Sequence, residues 1–207
     1  AITADLALLG TIEEIAKLPA EQQPAYITAA LTESRKWLHL ATESTNPRPF
    51  AEIKAWAASI AEYARQKGLA SEIVADGQEM LRRAERAVGQ AVRNGQEAGE
   101  IMTRQDGYPR SDYVARRGGV ETVVHVARRD DIPSAKKVSP DAYLPHGSDR
   151  NASYRMADAS DERFEGVLAE ARAEGNLSRA NVVRKVKGQP SPQTRDARAD
   201  LIADLAA

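Results

Sequence analysis

The chain of 207 residues is 42% hydrophobic, 29% charged and 5% aromatic, with a formal net charge of −1. That is an ordinary balance for one large or two small globular domains with a core of Ala, Leu, Ile and Val. Cysteine is absent, which excludes a disulfide framework, thiolate catalysis and every metal site built on thiolates. No run approaches eighteen apolar residues and no basic-then-apolar leader is present, so a cytoplasmic protein that spans no membrane is expected.

In chain order, the first predicted element is a short helix that Thr11 and Glu14 open as a capping box and Pro19 closes. A second helix is predicted from about Pro24 to Ala41, with Tyr26, Ile27, Ala30, Leu31, Trp37 and Leu38 on one broad face. The breaker Ser44 to Pro49 separates it from a third, Phe50 to Lys67, whose Ile53, Trp56, Ala57, Ile60, Tyr63 and Ala64 fall three and four apart. Ser71 to Arg104 reads as one long helix. Along it Val74, Gly77, Leu81, Ala84, Val88, Ala91, Gly95, Ala98 and Met102 form an a/d seam of mostly small side chains. Such a seam allows close approach while burying little area. It suits an antiparallel neighbour within the chain, the preferred reading, or a homodimer. Residues 1–104 are thus expected to be a helical scaffold that can also serve oligomerisation.

Residues 105–148 change character, punctuated by Gly107, Pro109, Gly118, Gly119, Pro133, Pro140, Pro145 and Gly147. Residues 104–137 carry a net charge of +3, and Arg116, Arg117, Arg128, Arg129, Lys136 and Lys137 make this a basic connector with auxiliary contacts for a polyanion. Within it Val120 to Arg129 reads as a short helix after the double glycine, a β-strand being the alternative. Residues 189–207 form a Pro-containing linker and a polar helix. Its stripe of Ala197, Leu201, Ile202 and Leu205 docks on the scaffold or folds on a protein partner.

The most informative stretch is 149–188. A helix from Asp149 to Met156 precedes a second that Ser160 or Asp161 caps, with Phe164, Val167, Leu168 and Ala171 as its buried face. Gly175 and Asn176 suit a left-handed termination. Ser178 caps a third helix, Arg179 to Lys187, which Gly188 ends. Residues 176–187 hold four basic side chains and no acid. With Leu177, Val182 and Val186 inward, the outward set is Ser178, Arg179, Asn181, Arg184, Lys185 and Lys187, groups that bind phosphates and base edges. The pattern predicts a tri-helical, helix-turn-helix-like unit whose last helix enters the major groove. Arg179 and Asn181 would face bases, and Arg184, Lys185 and Lys187 would hold phosphates. Asn176 lengthens the turn relative to that motif, and an amphipathic hairpin with a basic outer face is the alternative.

The run E-G-N-L-S-R-A-N-V-V-R-K-V, Glu174 to Val186, after D-E-R-F-E-G-V-L-A-E-A-R, resembles a C-terminal motif of helical proteins from actinobacterial phages and mobile elements. I-A-E-Y-A-R-Q-K-G-L and L-R-R-A-E-R-A-V-G resemble their long helical N-terminal part. The resemblance covers roughly residues 50–95 and 149–187 and implies a phage or prophage setting and DNA binding. L-S-R-A-N-V is also similar to the start of the recognition helix in ParB-type partition proteins, with no ParB catalytic domain beside it.

Enzymatic readings find no constellation. His39, His125 and His146 are the histidines, and none stands in a metal-ligand spacing or beside a phosphate-cradling glycine loop. The expectation is therefore a mainly α, non-enzymatic protein without cofactor or metal: a phage-type regulator or partition-like factor on double-stranded DNA. It would be nucleoid-associated, and a two-fold dimer would bind paired half-sites. The alternative is an interaction or assembly factor that binds a host or phage protein through its helices and tail.

Overall fold

The computed structural model describes residues 10–103, 113–117, 120–124 and 137–189, and it is mainly helical. The helices are α1 (Ile12–Lys17), α2 (Gln23–Leu38), α3 (Arg48–Gln66), α4 (Ser71–Glu97), α5 (Gly147–Ala157), α6 (Asp161–Ala173) and α7 (Arg179–Val186). The capping box at α1 forms as the sequence implies: the Glu14 amide donates to Thr11 Oγ1 at 3.2 Å and the Thr11 amide to Glu14 Oε2 at 2.6 Å. The predicted second helix stops early. Past Leu38 it tightens into a 3-10 turn, His39–Thr42, before the Pro47–Arg48–Pro49 start of α3, where the Arg48 amide donates to Asn46 Oδ1.

α4 is the axis of the molecule. On one side it packs against α2 and α3, and Phe50, Ile53, Ile60, Met80, Val88 and Val92 share one apolar cluster with Ile15 and Ile27. On the other side lie α5, α6 and α7, which hold a second cluster of their own: Met156, Phe164, Val167, Leu168, Leu177 and Val182. Small residues of α4, Gly77 and Gly95 in the seam and Gly89 beside it, are taken up by these neighbours. A Cβ at Gly77 would sit 3.1 Å from Ala61 of α3, one at Gly89 would run into Ser153 of α5, and one at Gly95 would run into Ile101 and Thr45. The seam is therefore an intrachain packing surface, closed by elements before and after it in sequence.

Two expectations are corrected here. α4 does not continue to Arg104. It ends at Glu97, Gly99 adopts φ +76°, and the amides of Glu100 and Ile101 both donate to the Gly95 carbonyl. A left-handed residue costs glycine nothing sterically, and the turn drops Ile101 into the core instead of extending the helix. Val120 to Arg129 does not open as a helix either. β1 (Tyr113–Arg117) pairs antiparallel with β2 (Val120–Val124), with Arg117 opposite Val120 and Tyr113 opposite Val124. Three valines and a threonine in five residues favour extended backbone. Ile101 and Val138 form a parallel bridge, the Met102 amide donating to the Val138 carbonyl and the Val138 amide to the Glu100 carbonyl. The tail stripe of Ala197, Leu201, Ile202 and Leu205 lies outside the described residues.

Candidate nucleic-acid interface

Ser160 and Ser178 start α6 and α7, their hydroxyls accepting from the amides of Arg163 and Asn181. Between them Gly175 takes φ +66°, and the Asn176 amide donates to the Ala171 carbonyl. α7 then folds back along α6. Asn181 and Lys185 reach Glu174, Lys185 also reaches Glu170, and Arg163 donates to the Lys185 carbonyl at 2.6 Å. This order of contacts is that of a helical hairpin closed from its turn to its open end.

The six residues expected on the outer face of α7 divide into two groups. Arg179 is turned onto the scaffold, pairing with Glu85 of α4 and Asp149 of α5. Asn181 is buried, its amide group donating to the Asn176 carbonyl at 2.8 Å. Lys185 bridges Glu170 at 3.1 Å and Glu174 at 2.7 Å, which leaves its side chain 12% exposed. The outward orientation expected for Arg179, Asn181 and Lys185 is thus corrected: Glu85 of α4 and Asp149 of α5 turn Arg179 onto the scaffold, the Asn176 carbonyl holds Asn181, and Glu170 of α6 and Glu174 just after it hold Lys185. Ser178 and Lys187 are exposed and Arg184 is half-buried, and with Ala180 they form the solvent edge of α7. Arg184 donates to the Gln189 carbonyl and to Asn181 Oδ1, not to an acid.

Arg163, which the sequence reading did not single out, joins this edge. It is exposed, its side chain lies against the last turn of α7, and among the described residues it has no carboxylate partner. A single base inside the acidic first turn of α6 gives no signal in sequence. Only the fold-back of α7 brings it beside Arg184 and Lys187. Of the auxiliary basic residues, Arg116 and Arg117 stand in β1 at the register positions nearest the hairpin connection, and Lys137 is half-buried. Arg128, Arg129 and Lys136 lie outside the described residues.

Behind α7 sits a buried ion network. Glu85 is fully enclosed, its side chain 1% exposed, and it holds both Arg82 at 2.5 Å and Arg179. Asp149 joins Arg179 to Lys54 of α3 at 3.5 Å. A second network centres on Glu79, which accepts from Arg35, Arg83 and Arg172. Burial pushes the Glu79 carboxyl up, but the guanidiniums of Arg172, Arg83 and Arg35 together outweigh burial and hold it below the ordinary carboxylate range. Asp149 is lowered in the same way, burial being overcome by Arg179 and Lys54.

These depressed carboxyls contribute stability that is complete above their unfolded value, near ~4, and is lost as pH falls through the lower folded value. Urea midpoints should accordingly be flat from about pH 5 upward and fall steeply below about pH 4. Glu79→Gln should be less stable than wild type at neutral pH, with the gap closing at acid pH. A gap that persists unchanged in acid would show that Glu79 is not linked to folding in this way.

Among the described residues no group of His, Asp and Glu is placed to hold a metal ion, His39 and His146 are both exposed, and no helix is long and apolar enough to cross a membrane. No protein-family model matches the chain, nor does any curated protein or solved structure.

Proposed function

We propose that the chain is a non-enzymatic DNA-binding protein in which α5, α6 and α7 form a helix-turn-helix-like unit. Its contact with duplex is electrostatic and runs along Arg163, Arg184 and Lys187. The observation that carries this reading is an imbalance on two adjoining helices. Arg172, Arg179 and Lys185 each pair with carboxylates, whereas Arg163, Arg184 and Lys187 make no ion pair among the described residues, Arg184 feeling Glu174 only at longer range, and gather at one end of the hairpin. Cations left unneutralised at a solvent edge are what phosphates engage, with release of counterions. The described surface offers little to a protein partner by comparison, since Val138 is its one exposed large hydrophobic.

Arg179 and Asn181 are not assigned to base reading, because both are spent inside the fold. The complex is therefore dominated by backbone contacts and weakly selective, in the range of roughly 10⁻⁴ to 10⁻⁶ M at physiological salt.

Titration of a mixed-sequence duplex over a salt series tests the assignment. Arg184→Ala with Lys187→Ala should weaken binding across sequences and flatten the slope of log K against log salt by about 0.9 per lost phosphate contact. Arg179→Ala should leave that slope in place while lowering stability. Wild-type affinity and slope in the double variant would dismiss the proposal.

A further inference from the structure

Among the described residues the chain holds one sheet, and that sheet has two strands, β1 and β2. Within these residues each strand pairs along one edge and leaves the other edge's amides and carbonyls unclaimed by a strand. A lone two-stranded sheet is marginal in water, and a third strand or a packed face is what stabilises it. The two free edges are unequal. β1, Y-V-A-R-R, ends in Arg116 and Arg117, and adjacent cations blunt an edge against further pairing. β2, V-E-T-V-V, carries four β-branched residues and a single charge, Glu121.

β2 is also nearly symmetric about its middle residue. Laid antiparallel on a second copy with Thr122 opposite the partner's Thr122, it sets Val120 opposite the partner's Val124 and Glu121 opposite the partner's Val123, each twice over. All five residues are paired in this register and no charge meets a like charge. Centring the pair on Glu121 instead would oppose two carboxylates, which is destabilising. Centring it on Val123 would pair only three residues of the strand. The same two-fold operation on β1 would line four arginines along the join. The helical body offers no rival surface, since Gly77, Gly89 and Gly95 of α4 already meet neighbours within the chain.

We propose that β2 is a homodimerisation edge, joined to β2 of a second copy about a two-fold axis at Thr122. The product is a four-stranded antiparallel sheet in the order β1–β2–β2–β1. A two-fold contact uses the same edge on both copies and closes on itself. The outer edges are then the arginine-bearing β1 strands, which stop further growth. The contact is shorter than a standard interface of about 1,200–2,000 Å², so the dimer forms in a concentration-dependent equilibrium. This inference stands on strand register and does not depend on the DNA-binding reading.

The chain has no cysteine, so single cysteines report the contact cleanly. Thr122→Cys should yield a disulfide-linked dimer under mild oxidation, because opposed residues of an antiparallel pair stand about 4.5–5.5 Å apart, within disulfide reach. Ala115→Cys is the control. Ala115 faces Thr122 inside one sheet but would lie three strand spacings, roughly 14 Å, from its own copy, so this variant should stay monomeric. Sedimentation of the cysteine-free protein should show a mass that rises with concentration. Thr122→Lys should abolish that rise, and so should Thr122→Glu, each by setting like charges opposite one another. An equimolar mixture of the two should restore it, which also shows that both variants remain folded. A wild-type mass that stays monomeric, equal cross-linking at positions 122 and 115, or a mixture no heavier than its components would overturn the proposal. Because no duplex is present, such a failure leaves the cationic edge of α7 to its own test.

Discussion

Glu85→Ala should destabilise the protein by about 3–5 kcal/mol, the loss expected when one partner of a buried ion pair is removed. The carboxylate is enclosed between Arg82 and Arg179, and Arg82 is itself only 9% exposed with its Nε already lacking a partner. Deleting the carboxylate strands that guanidinium in the interior and leaves Arg179 with Asp149 alone. Burial already works against the charged form of Arg82, and Glu85 is what chiefly offsets it. Replacing both partners by apolar residues, Arg82→Met with Glu85→Leu, should recover most of the loss, because the desolvation cost disappears together with the attraction.

The measurement is the urea midpoint at constant m, with hydrogen exchange in α7 as the local readout, since Arg179 is what ties that helix to α4. Glu33→Ala, which removes an exposed partner of Lys36, is the control and should change stability by less than about 1 kcal/mol. A Glu85→Ala protein as stable as this control would mean that the network does not hold the C-terminal helices in place.

Glu85 also shows where the sequence stops being legible. The helices of the scaffold could be read because their apolar residues recur at three and four and because caps and prolines mark their ends. Thr11, Ser160 and Ser178 each occupy the N-cap that their side-chain chemistry favours, with Glu14 closing the box at N3 of α1. The α4 seam was visible as a seam, but its partner was not, because small residues specify close approach without saying what approaches.

The orientation of α7 was misread for a related reason. Counting charges within residues 176–187 finds four bases and no acid. The acids that neutralise two of them stand on α4 (Glu85), α5 (Asp149), α6 (Glu170) and the turn after it (Glu174), and only the tertiary fold brings them near. Asn181 misled in the same way: on a basic helix it suggests a contact with a base, yet it closes the turn by donating to the Asn176 carbonyl. Val120–Val124 failed on competing local rules, since a helical context outweighed a composition that favours strand.

The second large effect expected concerns the contact of α4 with α5. Gly89→Ala should destabilise by about 1–3 kcal/mol despite gaining helix propensity, and Gly89→Val should cost more. A Cβ at Gly89 would stand 2.4 Å from the Ser153 carbonyl oxygen and 2.8 Å from its carbon. Both are backbone atoms of α5, so no rotamer change relieves the clash and the helices must separate. Separation also carries Asp149 away from Arg179 and moves the Met156 carbonyl that accepts from Arg86 at 3.1 Å, so packing and ion pairing fail together.

Gly166 supplies the comparison. It too is inside a helix, α6, but a Cβ there meets nothing within 4 Å, and Gly166→Ala should stabilise by roughly 0.5–1 kcal/mol through propensity alone. The same chemical change thus takes opposite signs at two helical glycines, and thermal or urea unfolding of the two variants decides it. If Gly89→Ala were stabilised as Gly166→Ala is, α4 and α5 could not be in backbone contact, and the placement of α7 over Glu85 and Asp149 would lose its foundation.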